Sequence, residues 1–80
     1  MKSTDWETTN NQLCKTFVFS SFPEAIAWMV KAAFVIEKAN HHPNWSNVYN
    51  KVMVQLSTHD DGNIITQKDH DLAKALDQIA

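Results

Sequence analysis

The residues best suited to chemistry stand in the stretch NHHPNW, Asn40 to Trp45, where two adjacent histidines precede a proline. Histidine is the side chain whose ordinary pKa brings it into acid–base work near neutral pH. His41 lies four residues after Glu37, a spacing that puts both on one helix face. A carboxylate there can orient the imidazole and favour its protonated form, and a helix C-terminus favours a cation as well. On this reading Glu37 holds His41. A third histidine, His59, ends the run STHDD and shares alternation parity with Tyr49, which predicts one side of a sheet for both. Zinc is the competing reading. Adjacent histidines on a helix point about 100° apart, which suits a single ion poorly. There is no His-x-x-x-His pair, and Cys14 has no second cysteine to join it. His70 falls in the first turn of the last helix, where solvent is expected. Histidines near helix ends also serve simply as charge complements. The pair alone leaves acid–base site, metal site and plain helix end open.

The elements that must position these groups can be read from pattern. Asp5 to Asn10 reads as a short strand containing Trp6, and NNQ (Asn10 to Gln12) as a turn. Leu13 to Ser20 is rich in strand formers. Leu13, Phe17 and Phe19 fall on one side of it, with Lys15 joining them at a half-exposed end. SFPE, Ser21 to Glu24, is a helix start with a capping serine, a glutamate three residues on, and a proline in the first turn. The helix is expected to run to about Ala39, because Pro43 disfavours helical geometry at His42. Ile26, Met29, Val30, Ala33 and Ile36 make its core stripe, with Trp28, Phe34 and Val35 largely off it. A surface helix needs one apolar face, and the excess here points to a subunit interface. Val48 to Ser57 reads as the clearest strand. The turn HDDGN follows, then NIIT as a short strand. TQKD, Thr66 to Asp69, resembles a second capping box, and Leu72, Leu76 and Ile79 give the closing helix its buried stripe. The expected fold class is α+β: an antiparallel sheet of about four strands with helices packed on one face.

Eighty residues make a single domain, 1–80, with a thin stability margin that a partner chain can widen. An apolar content of 44% is ordinary for a globular protein. A formal charge of −2 with seven scattered lysines gives no footprint for nucleic acid. The polar N-terminus has no signal-peptide core, and the apolar run is interrupted by Lys31 and too short for a bilayer. These features predict a soluble, cytoplasmic protein that binds neither nucleic acid nor membrane.

The stretch EKANHHPNWSNVYNKVMVQLSTHDDG followed by DHDLAKALDQIA closely resembles the pterin-4a-carbinolamine dehydratase family. The family motif runs from an acidic residue through three positions to His-His-Pro, then an aromatic, a histidine after the next strand, and a later Asp. Here these match Glu37, His41, His42, Pro43, Tyr49, His59 and Asp69. The resemblance covers most of the chain, and several spacings agree at once. It implies dehydration of a 4a-hydroxytetrahydropterin to a quinonoid dihydropterin, supporting tetrahydropterin recycling, with no metal and no cofactor. It implies His42 as the main acid–base residue, with His41 and His59 binding the pterin and sharing proton transfer. A flat pterin needs an apolar or aromatic wall and a few hydrogen bonds. Pro43, Trp45, Ser57 and Thr58 are candidates, and Glu37, Tyr49 and Asp60 complete the expected binding set. Asp69 is either a site-supporting residue of the motif or a helix cap. Family members usually begin with a further N-terminal helix, expected to be missing here because the chain starts almost at Trp6. The resemblance also implies a homodimer or homotetramer. The alternative function is a non-catalytic oligomerisation or coactivator-type module using the apolar central helix.

Overall fold

A computed structural model describes residues 6–80. The elements run β1 (Glu7–Thr9), β2 (Gln12–Val18), α1 (Phe22–Ala39), β3 (Asn44–Val48), β4 (Lys51–Leu56), a short 3-10 turn (His59–Asp61) and α2 (Gln67–Gln78). The sheet order is β1-β2-β4-β3, antiparallel throughout. β2 and β3 are therefore parallel with β4 inserted between them, and α1 makes the crossover. Both helices pack on one face of the sheet. Among the described residues, no helix is long and apolar enough to cross a membrane.

Local chemistry sets most boundaries. Asn10 and Asn11 both take positive φ, the requirement of a two-residue type I′ hairpin loop, and asparagine tolerates it well. The Asp5 end of the expected first strand lies outside the described residues. Ser21 caps α1, its hydroxyl accepting from the Glu24 N–H at 3.3 Å. Asn40 ends α1 in the left-handed conformation, donating to the Glu37 carbonyl at 3.1 Å. Thr66 and Asp69 form the expected capping box at the start of α2.

The run from Val48 to Ser57 is a hairpin end plus one strand. Val48 pairs with Lys51 across a two-residue loop, Tyr49–Asn50, and Tyr49 has φ 52°. A bulky residue at positive φ is uncommon. Neighbouring amides hold the loop: Asn47 Nδ2 donates to the Tyr49 and Lys51 carbonyls, and Asn50 Nδ2 to the Phe19 carbonyl. The fourth strand of the sheet is β3. NIIT supplies only one bridge, Thr58 to Ile64.

The core joins Leu13 and Phe17 of β2, Val52, Val54 and Leu56 of β4, Ala25, Trp28, Ala32 and Ile36 of α1, and Leu72, Ala73 and Leu76 of α2. The inner stripe of α1 is thus Ala25-Trp28-Ala32-Ile36, while Ile26, Val30, Ala33 and Phe34 face outward. The reason is steric. Alanines let the helix axis approach the sheet, and Trp28 then fills the remaining gap against Phe17, Phe19 and Trp45. Lys15, expected half-exposed, is buried. Its Nζ lies 2.6 Å from Asp77 Oδ1, and it stacks on Trp6 and Phe17, while the Trp6 indole N–H donates to Asp77 Oδ2 at 3.0 Å. That pairing makes burial of a lysine tolerable.

Candidate functional site

The end of α1, the start of β3, the end of β4 and the start of α2 meet at one end of the sheet. Asn44 pairs with Gln55, so His42-Pro43 lies beside Leu56-Ser57, the lead-in to His59. α2 enters this corner through Asp69, a fully buried carboxylate.

Asp69 is the hub. Its Oδ1 lies 2.6 Å from His41 Nε2. Its Oδ2 accepts from the Thr58 hydroxyl at 2.8 Å and from the Thr66 N–H at 2.8 Å. Burial alone would push this carboxyl up. The hydrogen bonds from His41, Thr66 and Thr58, with the charge of His41, outweigh it and hold Asp69 below its ordinary value. An ionised carboxylate only accepts, so the hydrogen sits on His41 Nε2 and Nδ1 is left free. The two readings of Asp69 are both met, since one oxygen caps α2 and the other orients a histidine.

Glu37 partners His42 and not His41, with 3.0 Å between Oε1 and Nε2. The expected Glu37–His41 pairing assumed helix geometry through residue 41. Asn40 leaves the helix in αL, which turns His41 toward α2 and brings His42 back over Glu37. His42 is exposed, and its Nε2 is the nitrogen that Glu37 ties. His59 sits in the 3-10 turn with its Nδ1 2.8 Å from Asn63 Oδ1, an acceptor, so its Nε2 is the open nitrogen. Each ring therefore has one nitrogen tied by a neighbouring oxygen and one available. His41 is mostly buried and borders an open cavity of about 270 Å³ with Ala39, Lys68, Asp71, Leu72 and Ala75.

The remaining expected residues divide. Pro43 and Ser57 are half-buried beside the histidines, and Asp60 is exposed next to His59. Trp45 turns inward onto Trp28, with ring centres 6.4 Å apart, and packs the core. Thr58 is 2% exposed and its hydroxyl is engaged, so it offers a ligand no surface. Tyr49 stands at the opposite end of β3, about 17–20 Å of strand from Pro43. Neither Tyr49 nor His59 lies in a strand, so their shared parity places nothing. Thr66 is a hub residue that pattern reading gave only a capping role. His70 is exposed, as expected.

The profile of the family described as Pterin 4 alpha carbinolamine dehydratase matches residues 1–79. A relative from Opitutus terrae is 48% identical over 75 residues, covering 94% of this chain and 77% of its own. One from Prochlorococcus marinus strain MIT 9215 is 47% identical over 79 residues, covering 99% and 81%. Both carry the pterin-4-alpha-carbinolamine dehydratase name. A solved structure from Brucella melitensis, described as a transcriptional coactivator/pterin dehydratase, superposes with a TM-score of 0.89 at 35% identity, over 98% of this chain and 84% of its own. A pterin dehydratase-like RuBisCO assembly factor of the alpha-carboxysome superposes at 0.81 with 22% identity, over 96% and 90%, a likeness of fold alone.

Proposed function

The chain belongs to the pterin 4 alpha carbinolamine dehydratase family, a family of hydro-lyases, and from that premise we propose that it converts a 4a-hydroxytetrahydropterin to the quinonoid dihydropterin and water. The observation that carries this reading is the meeting of Glu37, His41, His42, His59 and Asp69 from separate elements at one end of the sheet. In the reaction the C4a–O bond breaks with a proton delivered to the departing hydroxyl. The N5–H bond is lost to a base, and its electrons form the C4a=N5 double bond. An acid and a base on opposite sides of a small reacting centre suffice. His42, exposed and held from behind by Glu37, is the main acid–base residue. His41 and His59 bind the pterin and share proton transfer through Nδ1 and Nε2. Pro43, Ser57 and Asp60 border the ligand. A stopped assay with chemically generated 4a-hydroxytetrahydropterin tests this. Wild type should accelerate loss of the intermediate, and His42→Ala should lose most of that acceleration. Wild type no faster than buffer ends the enzyme reading.

One observation favours self-association as well. Phe22, Ile26, Val30 and Phe34 line the outer face of α1, and Phe34 is 74% exposed. Such a stripe on a small domain matches a second copy of itself in a cytoplasmic homodimer or homotetramer. Light scattering checks it: a 9.1 kDa monomer at micromolar concentration refutes self-association, and Phe34→Lys should shift an oligomer toward monomer. An oligomer without dehydratase activity would leave the binding-module reading standing alone.

A further inference from the structure

We infer that Thr58 is a positioning residue for His41, holding the imidazole through Asp69 from the loop that also carries His59. The inference rests on the dehydratase reading for its consequence in rate, and on geometry alone for its consequence in His41.

The hydroxyls of Thr58 and Thr66 are 2.5 Å apart, and Thr58 also donates to Asp69 Oδ2. A threonine hydroxyl has one hydrogen. Thr58 uses its own on the carboxylate, so the hydrogen between the two hydroxyls comes from Thr66. Every donor in the chain is thereby assigned: Thr66 O–H to Thr58, Thr58 O–H to Asp69 Oδ2, Thr66 N–H to the same oxygen, and His41 Nε2–H to Oδ1. The order runs one way and ends on the imidazole. With Oδ2 doubly occupied, Oδ1 is the oxygen left for His41, which fixes the carboxylate's rotation and the ring's tautomer.

The backbone of Thr58 belongs to the loop of the other histidine. Its N–H donates to the Ile64 carbonyl at 2.8 Å, and its carbonyl accepts from Asn63 N–H at 3.0 Å and Asp61 N–H at 3.3 Å. These bonds close the loop that carries His59, with Gly62 in the left-handed conformation at φ 87°. His59 is held to Asn63 in that same loop. Thr58 thus reaches His41 across space from a loop that its main chain helps to close. Lys68 and Asp71 line the cavity beside His41, Glu37 and His42 pair at the same helix end, and among the described residues none of them is bonded to Thr58.

Thr58→Val keeps the shape and removes the hydrogen; Thr58→Ser keeps the hydrogen. Nitrogen-15 NMR of the histidine rings is the first readout. Wild type and Thr58→Ser should show a His41 Nε2–H proton held in a strong hydrogen bond and protected from exchange, and Thr58→Val should lose that signal to exchange with water. The pH profile of the dehydratase is the second. Thr58→Val should lose about tenfold in kcat/KM with its profile displaced, and Thr58→Ser should restore both. A folded Thr58→Val with a wild-type His41 Nε2–H signal overturns the inference, whatever the assay gives. If wild type itself has no activity, the NMR arm still decides positioning, and only the functional premise falls. Should Thr58→Val fail to fold, Thr58→Ala takes its place. It removes the same hydrogen given to Asp69, and an unchanged His41 there overturns the inference equally.

Discussion

His41 and His42 share a peptide bond, yet one ring is 13% exposed against a fully buried carboxylate and the other 58% exposed against a carboxylate that is itself 80% exposed. Both distances look like ion pairs, at 2.6 and 3.0 Å. Their physical weight differs. The exposed pair is screened by water and by the freedom of two long side chains, and such pairs contribute about 0–1 kcal/mol. The buried pair sits where an unpaired charge is costly. The lesson is a division within one dipeptide: His41 is fixed by the fold, and His42 stays open to solvent.

The largest effect that should break this contrast comes from Asp69→Ala. It removes the cap of α2, the partner of His41 and the acceptor of Thr58 together. We expect a loss of about 3 kcal/mol in urea unfolding, along with most dehydratase activity. A loss under about 1 kcal/mol would mean that the buried pair is no stronger than the exposed one.

His42→Ala is the converse. Activity should fall roughly a hundredfold, while unfolding free energy stays within about 0.5 kcal/mol. A fall in stability comparable with that of Asp69→Ala would erase the distinction between the two rings.

Acid sharpens the comparison. The folded-state pKa of Asp69 is depressed below its ordinary value of 3.8. Its stabilisation is therefore complete above the unfolded value and is lost as pH falls through the folded one. Urea midpoints for wild type and Asp69→Asn should differ most near pH 6 and converge below about pH 4. A constant gap from pH 6 to pH 2 would show that the charge on Asp69 is not what stabilises.

The smallest effect belongs to Glu37→Gln. Stability should change by less than about 1 kcal/mol, and activity should fall only a few-fold. A large thermal shift would place Glu37 with Asp69 instead.

Much of the architecture was legible because it rests on local chemistry. Ser21 and Pro23 announced α1, Thr66 and Asp69 announced α2, and NN announced the first hairpin. What was not legible depended on contacts far along the chain or on one backbone angle. The hairpin at Tyr49–Asn50 carries no glycine and is held by Asn47 and Asn50, so the turn was missed and β3 went unread before Val48. The inner face of α1 was misread because the larger side chains Ile26 and Val30 outweigh Ala25 and Ala32 in pattern, whereas close packing selects the small ones. Lys15 is buried where Asp77, 62 positions later, meets it. At the site, the motif located the histidines and Asp69, while the left-handed Asn40 decided which histidine Glu37 would meet.

The clasp of Trp6 and Lys15 on Asp77 has a topological consequence. It brings residues 71 positions apart within 3.0 Å, so the two ends of the described chain lie side by side. A short flexible linker could join them, and new ends could be opened between Asn10 and Asn11 at a surface hairpin. In that circular permutant β1 would follow α2 in sequence, and its place beside β2 would depend on the clasp rather than on a two-residue loop.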